Sequence, residues 1–197
     1  MTSVAWYAGG LIDLYQASFW IALFAILFNP LFWNIVARKE HSTRFLTKAF
    51  GSPYHGCYFL AVVIFSIGII RDHLYQRALA AQPTLDVLDR PLLSRALFAL
   101  GGTLVGSSMW KLGVTGTYLG DYFGILMDHM VTGFPFNLTQ SPMYNGSTLC
   151  FLAGALKYKS PAGLLLTGIV FIAYQIALRF EDPFTSSIYA ARASKKK

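Results

Sequence analysis

Four long apolar runs, divided by polar connections, set the plan of this 197-residue chain. The first runs from Phe19 to Val36 and has Asn29-Pro30 in its middle. Proline removes a helical donor and clashes with the preceding turn, so this run is expected to kink as it spans or to dip in and return. A basic, polar connection follows, "RKEHSTRFLTKAFGSPYHG". The second run, Cys57 to Ile70, is just long enough to cross with its flanking tyrosine, and an amphipathic piece leads from Arg71 to Pro91. The third, Leu92 to Trp110, is rich in Gly, Ser and Thr. Cys150 to Leu156 is apolar but too short to cross alone, and the fourth long run, Pro161 to Leu178, is long enough. A hydrocarbon core takes about 20 apolar residues of helix. The pattern therefore predicts an all-α integral membrane protein, a single bundle of four to five hydrophobic helices over residues 1–197.

Between the third and fourth runs lies "GDYFGILMDHMVTGFPFN", residues 120–137. A lipid-facing helix does not tolerate that mixture of acids, histidine and proline, and a plain soluble loop does not need so many aromatics. Irregular backbone at membrane depth survives only against protein or a water-filled cavity, so this stretch is expected to line a cavity.

Composition agrees with the pattern. Hydrophobic residues make up 55% of the chain and charged residues 13%, about half the charge of a soluble domain. The net charge of +7 does not point to nucleic acid, because the basic residues flank apolar runs instead of forming one stripe. They suit juxtamembrane anchoring to anionic headgroups. Cys57 and Cys150 sit in apolar runs and read as small buried hydrophobes, with no disulfide or metal framework. No lysine or arginine precedes Arg38, so a cleavable signal is not expected. The sequons at Asn137 and Asn145 hug apolar segments and are expected to stay unmodified.

Charge also bears on topology. Arg71, Arg77, Arg90 and Arg95 stand between the second and third runs; Arg179, Arg192 and Lys195 to Lys197 stand in the tail. With one crossing between Leu112 and the tail the two groups share a side, taken as cytosolic. The connection from Arg38 to Lys48 would then be luminal. A hairpin from Tyr144 to Leu178, entering and leaving on one side, is the alternative, and it would bring "SPMYNGS" beside Glu181.

Three clusters are polar where lipid disfavours polarity: Ala99 to Gly102 in the third run, the Asp121–Asn137 loop with "SPMYNGS" after it, and Glu181-Asp182, read as lying immediately past the last helix. Each has a plain structural reading too. Glycines in membrane helices serve packing. Glu181-Asp182 could cap an interface, Asp128-His129 could be a solvated turn, and Phe134 and Phe136 an interfacial belt.

The blocks "RKEHSTRFLTKAFGSPY", "GTYLGDYFGI", "VTGFPFN", "SPMYNGST", "SPAGLLLT" and "EDPFTSSIY" together resemble the class II phosphatidylethanolamine N-methyltransferases. The resemblance runs in order from about residue 29 to residue 189. It implies S-adenosylmethionine (SAM) as methyl donor, an ethanolamine phospholipid as acceptor, stepwise methylation to phosphatidylcholine, and an endoplasmic reticulum or mitochondria-associated membrane with the C-terminus cytosolic. It also implies SAM-binding residues. The family's G-x-G falls on Ala99, Leu100 and Gly101, with alanine for the first glycine. Its paired acids fall on Glu181 and Asp182, with aspartate for the second glutamate. "SPMYNGS" further resembles a loop of the isoprenylcysteine carboxyl methyltransferases. A non-catalytic membrane scaffold with an altered SAM site and a carboxyl methyltransferase are the two alternative readings.

The residues suit such chemistry. SAM is a sulfonium carrying an amino acid and a nucleoside. Carboxylates can pair its amine or ribose, and aromatic faces can hold a cation. The acceptor ammonium, with a pKa of about 10 like lysine, must lose a proton before it attacks. Asp121, Asp128 and His129 are the candidate proton acceptors, and Tyr122 and Tyr144 could orient the headgroup.

Overall fold

The computed structural model describes residues 10–129 and 131–194; the tail lysines Lys195 to Lys197 lie outside the described residues. The described residues contain helices and no strand: α1 (Ala17–Thr43), α2 (Phe45–Phe50), α3 (Pro53–Ala80), α4 (Pro91–Thr117), α5 (Pro142–Lys157) and α6 (Pro161–Ser194), with 3-10 turns at Asp86–Leu88 and Gly120–Phe123. Helices α1, α3, α4 (with the turn that follows it) and α6 are each long and apolar enough to cross a membrane. Large apolar side chains stay exposed all round the bundle, among them Phe24, Val62, Phe98 and Ile172. That is the expected surface of a protein solvated by lipid.

Helix α1 runs through Pro30 as one 27-residue helix. Of the two expected courses, spanning with a kink or dipping in and returning, the re-entrant one is absent. Proline removes one donor, but the inward stripe of Phe19, Ala22, Ile26, Asn29, Pro30 and Ala37 continues across it, so packing on both sides holds the helical course. The Pro30 carbonyl also accepts from Asn34 Nδ2 at 3.0 Å. Arg38, Lys39 and Glu40, read as connection, belong to this helix. Glu40 is fully buried because it caps the next one. Its carboxylate accepts from Leu46 N at 2.7 Å and Thr47 Oγ1 at 2.5 Å, two donors at the start of α2 that no intrahelical carbonyl serves.

Helices α4 and α5 cross at two glycines. A Cβ on Gly101 would lie 2.5 Å from the Gly146 carbonyl oxygen, and a Cβ on Gly146 would lie 2.6 Å from that of Gly101. Side-chain-free surfaces let the two backbones touch. Ser94 Oγ donates to the Ala153 carbonyl at 2.8 Å further along the same crossing. Helix α5 has 16 residues, about 24 Å of rise, short of the roughly 30 Å hydrocarbon core. It turns tightly into α6, so α5 and α6 form the antiparallel hairpin.

The five longer helices thus alternate in direction and share two ends. At the proximal end Asp13 and Gln82 exchange hydrogen bonds of 2.8 Å, and Leu85 N donates to the Lys159 carbonyl at 2.8 Å. At the distal end Arg38 Nη2 donates to the Phe180 carbonyl at 2.8 Å, and Thr185 Oγ1 donates to Asp121 at 2.6 Å. The sidedness read from charge is corrected here. The end of α6 lies with Arg38–Lys48, and Arg77, Arg90 and Arg95 lie at the opposite end. The physical reason is that α5 contributes one further pass, which its apolar core of seven residues does not announce.

A second correction concerns the acids. Helix α6 continues through Pro183 to Ser194, so Glu181 and Asp182 are helix-interior residues and no helix C-terminus disfavours them.

Candidate functional site

Two faces of α6 meet the distal end, and the acids divide between them. Glu181 is 9% exposed and turns toward α1 and α5. Its Oε1 accepts from Trp33 Nε1 and from Asn34 Nδ2, both at 2.7 Å, and its Oε2 accepts from Tyr144 OH at 2.5 Å. The Trp33 ring centre lies 6.3 Å from that of Tyr144 and 6.5 Å from that of Tyr174; the two tyrosine rings are 4.8 Å apart. Tyr174 is fixed in turn. Its hydroxyl meets Arg71 Nη1 at 2.7 Å and Ser147 Oγ at 3.1 Å. Arg71 is itself paired to Asp72 at 2.8 Å.

Asp182 faces outward. With Gln175, Leu178, Arg179 and Pro183 of α6, and with Ser141 and Asn145 at the start of α5, it lines an open groove of about 580 Å3. Small-molecule sites span about 300–1,000 Å3. The α6 members recur at helical spacing, so one face presents an acid, an amide and a guanidinium together. Asn145 Nδ2 donates to Thr139 Oγ1 at 2.6 Å, which ties the α5 wall to the loop before it and engages the amide of the second sequon.

The loop splits into two parts. Its first part is built into the bundle: Tyr122 is fully buried and Phe123 2% exposed. The Tyr122 ring stacks on Phe184 at 4.8 Å, and His41 meets the Phe184 ring edge-on at 5.0 Å. The Arg38 guanidinium lies over the Phe184 ring, 4.8 Å from its centre. Asp121 accepts from Thr185, one helical turn past Glu181, and from the Tyr122 amide at 3.1 Å. Arg192 Nη1 donates to the Met127 carbonyl at 2.8 Å, and the Met127 N–H donates to Tyr189 OH at 3.2 Å. The end of α6 therefore straps this loop down. Its second part is different: Asp128 and His129 are exposed, away from the Glu181 cluster.

Of the residues singled out by sequence, Tyr144 and Glu181 touch, Asp182 lines the groove beside them, and Asp121 is joined to the same helix. Gly101 lies in the α4–α5 crossing, while Ala99 and Leu100 are exposed on α4; none of the three lines the groove. Sequence reading passed over Trp33, Asn34, Arg38, His41 and Tyr174. A signal was present: Asn34, Arg38 and His41 recur at i, i+4 and i+7, a polar stripe on the end of an apolar helix.

The fold and site define a polytopic helical membrane protein with a carboxylate site and a polar groove back to back at one membrane edge. Comparison with known proteins then gives the family. The family model for phospholipid methyltransferase matches residues 90–192. The chain is 60% identical to phosphatidyl-N-methylethanolamine N-methyltransferase of Emericella nidulans over 94% of this chain and 92% of that protein. It is 54% identical to the Saccharomyces cerevisiae protein of the same name, over 94% and 92%. To human phosphatidylethanolamine N-methyltransferase it is 50% identical over 94% of each. The chain belongs to the phospholipid methyltransferase family. No solved structure matches it significantly.

Proposed function

We propose that this chain is a SAM-dependent N-methyltransferase that converts ethanolamine phospholipids, in particular the mono- and dimethyl derivatives, toward phosphatidylcholine. The observation that carries the reading is the pair of acids on one turn of α6, one in a polar groove and one hydrogen-bonded to Trp33, Asn34 and Tyr144, at the depth where lipid headgroups lie. The names of the relatives supply the acceptor class.

The groove is the place for SAM. Asp182 pairs the α-amino group of the amino-acid end, Arg179 its carboxylate, and Gln175, Ser141 and Asn145 offer hydrogen bonds to the remainder. Gly101 contributes at one remove, because its contact with Gly146 sets where α5, and so Ser141 and Asn145, stand. In the reaction the C–S bond of the sulfonium breaks, the C–N bond forms, and S-adenosylhomocysteine and one proton leave. Positioning drives such a displacement. Asp121 is the loop acid that α6 holds near the site, and it takes the proton released from the acceptor nitrogen. The membrane is that of the endoplasmic reticulum or its mitochondrial contacts. The distal end, which gathers Arg38, Lys39, Arg44, Lys48, Arg179 and Arg192, faces the cytosol.

The test is purified protein in vesicles of dimethyl-phosphatidylethanolamine with methyl-labelled SAM. Label in phosphatidylcholine is the expected result. Label only in prenyl-protein ester, or in nothing, removes the reading. Asp182→Asn is expected to raise the Kd for SAM about tenfold, the loss of one charge-assisted hydrogen bond.

A further inference from the structure

A second cavity, of about 360 Å3, shares no residue with the groove beside Asp182. The start of α3 supplies Tyr54, the loop supplies residues 123–126, and the end of α6 supplies Arg192. Its size falls within the range of small-molecule sites, and the methyl transfer described above leaves it unused.

The charge around it is one-sided. Arg192 lines the cavity. Arg44 stands directly behind Gly124: a Cβ on that glycine would lie 3.6 and 3.7 Å from the two terminal nitrogens of the guanidinium. Gly124 has a φ of +82°, a left-handed turn that glycine makes without strain, so no side chain separates the loop from Arg44. Both arginines are half-buried. Each donates to a backbone carbonyl, Arg44 to that of Tyr122 at 3.4 Å and Arg192 to that of Met127 at 2.8 Å. Neither has an acid. The ion pairs among the described residues are Arg71–Asp72, Lys159–Asp86 and Lys159–Asp89. No acid lines the cavity, and Asp121, on the same loop, accepts from Thr185. Charges drawn out of water are paired, so an anion completes this cluster.

The donors define the anion. Guanidinium groups match the oxygens of phosphate in paired hydrogen bonds, and Tyr54 adds a hydroxyl. The remaining walls, Phe123, Ile125 and Leu126, are apolar and suit a phosphate joined to something apolar. Position supplies the source. The apolar run of α3 begins at Cys57, one turn after Tyr54. Phe50, Tyr58 and Phe59 are exposed around that turn, with the two phenylalanine rings 4.6 Å apart. Exposed aromatics of this kind mark a membrane interface. The cavity therefore opens beside the headgroups of the surrounding bilayer.

We propose that this cavity seats the phosphate of a phospholipid of net negative charge, at a site distinct from the SAM groove and from the place of the acceptor. A zwitterionic headgroup would bring its ammonium against two arginines with no acid to receive it. The bound phosphate shares Arg192 with the Met127 carbonyl, and so ties the end of α6 to the loop that carries Asp121. The site stands whether or not the chain transfers methyl groups.

The experiment uses the full-length protein in detergent, titrated calorimetrically with short-chain phosphatidylglycerol, short-chain phosphatidylcholine and inorganic phosphate. Wild type is expected to bind phosphatidylglycerol about tenfold more tightly than either of the others. Arg192→Gln keeps an N–H for Met127 and removes the charge; it is expected to weaken phosphatidylglycerol about tenfold, the loss of one charge-assisted contact. Leu126→Trp fills the cavity and leaves both arginines in place, and it is expected to weaken the lipid at least as much. Lys48→Gln removes an equal charge from an exposed position at the same end and is expected to stay within twofold of wild type. Equal binding of phosphatidylcholine would make this a site for zwitterionic lipid, and equal binding of inorganic phosphate a site for the free ion; either overturns the proposal. So does an equal loss in Arg192→Gln and Lys48→Gln, which means diffuse attraction to a basic surface. If Leu126→Trp does not accumulate, the comparison of Arg192→Gln with Lys48→Gln decides. Binding needs no turnover, so a wild-type protein that methylates no lipid in the vesicle assay removes the proposed function while these titrations still report on the cavity.

Discussion

Glu181 and Asp182 are neighbours in sequence and about 100° apart around α6, because a helix turns once in 3.6 residues. That rotation sends one carboxylate between Trp33 and Tyr144 and the other into the groove. Glu40 shows a different use of the same chemistry. It is fully buried and bonded to Leu46 N and Thr47 Oγ1, so it holds the start of α2. Glu40→Ala is expected to destabilise the protein by about 1–3 kcal/mol, since buried donors then go unpaired. Thermal unfolding measures the loss, and methyl transfer per folded molecule should stay at the wild-type level. A variant of normal stability and low activity would instead put Glu40 in the reaction. Asp121 is held by the Thr185 hydroxyl at 2.6 Å. Thr185→Val, which keeps the shape and deletes the donor, is expected to lower kcat about tenfold or more while leaving the Kd for SAM unchanged. Thr185→Ser should recover most of the rate. Equal kcat in Thr185→Val and wild type would release Asp121 from the proton-accepting role.

Among the elements, the α4–α5 crossing is where side-chain volume matters most. The Gly101 and Gly146 backbones touch, and Cys150 Sγ would lie 2.8 Å from a Cβ on Gly101. Gly101→Ala is therefore expected to lower stability by about 1–3 kcal/mol through overpacking, read as a fall in Tm, with Gly101→Leu failing to accumulate. Ala99→Gly lies on the exposed face of the same helix and should cost only about 0.5–1 kcal/mol of helix propensity, with SAM affinity unchanged. A Gly101→Ala protein of normal Tm but weakened SAM binding would return this glycine to the cofactor site. The long run of α6 past Pro183 matters for a second reason: Phe184, Thr185, Tyr189 and Arg192 reach the loop before α5 and fix it. Without those last turns Asp121 and Met127 would have no partner on this helix.

At the scale of the molecule, alternating helices bring the end of α6 beside Arg38–Lys48 and leave the turn at Asp86–Leu88 at the opposite end. Glycosylation acceptors introduced beside Ser42 and after Lys197 are expected to behave alike, and one introduced near Asp86 to behave oppositely. Modification of the Asp86 acceptor alone is the outcome for a cytosolic distal end. Opposite behaviour of the Ser42 and Lys197 acceptors would mean that α5 and α6 do not form a hairpin.

The sequence by itself determined the class of fold and the family chemistry. Apolar runs near twenty residues admit little but membrane helices, since lipid leaves no partner for an open backbone. Acids and histidine at the ends of such runs mark a site because burying them costs so much. It also offered, as an alternative to a single crossing, the hairpin that would bring "SPMYNGS" beside Glu181. The tertiary structure decided the rest. Whether Pro30 breaks α1, and whether α6 stops at Leu178, depends on packing from other helices, which outweighs local propensity. Gly101 reads the same as a ligand cradle or as a crossing until Gly146 is seen against it. Trp33 and Asn34 stand almost 150 residues before Glu181, and only the pairing of α1 with α6 makes them its donors, because a site made by contact between distant segments exists only once those segments pack.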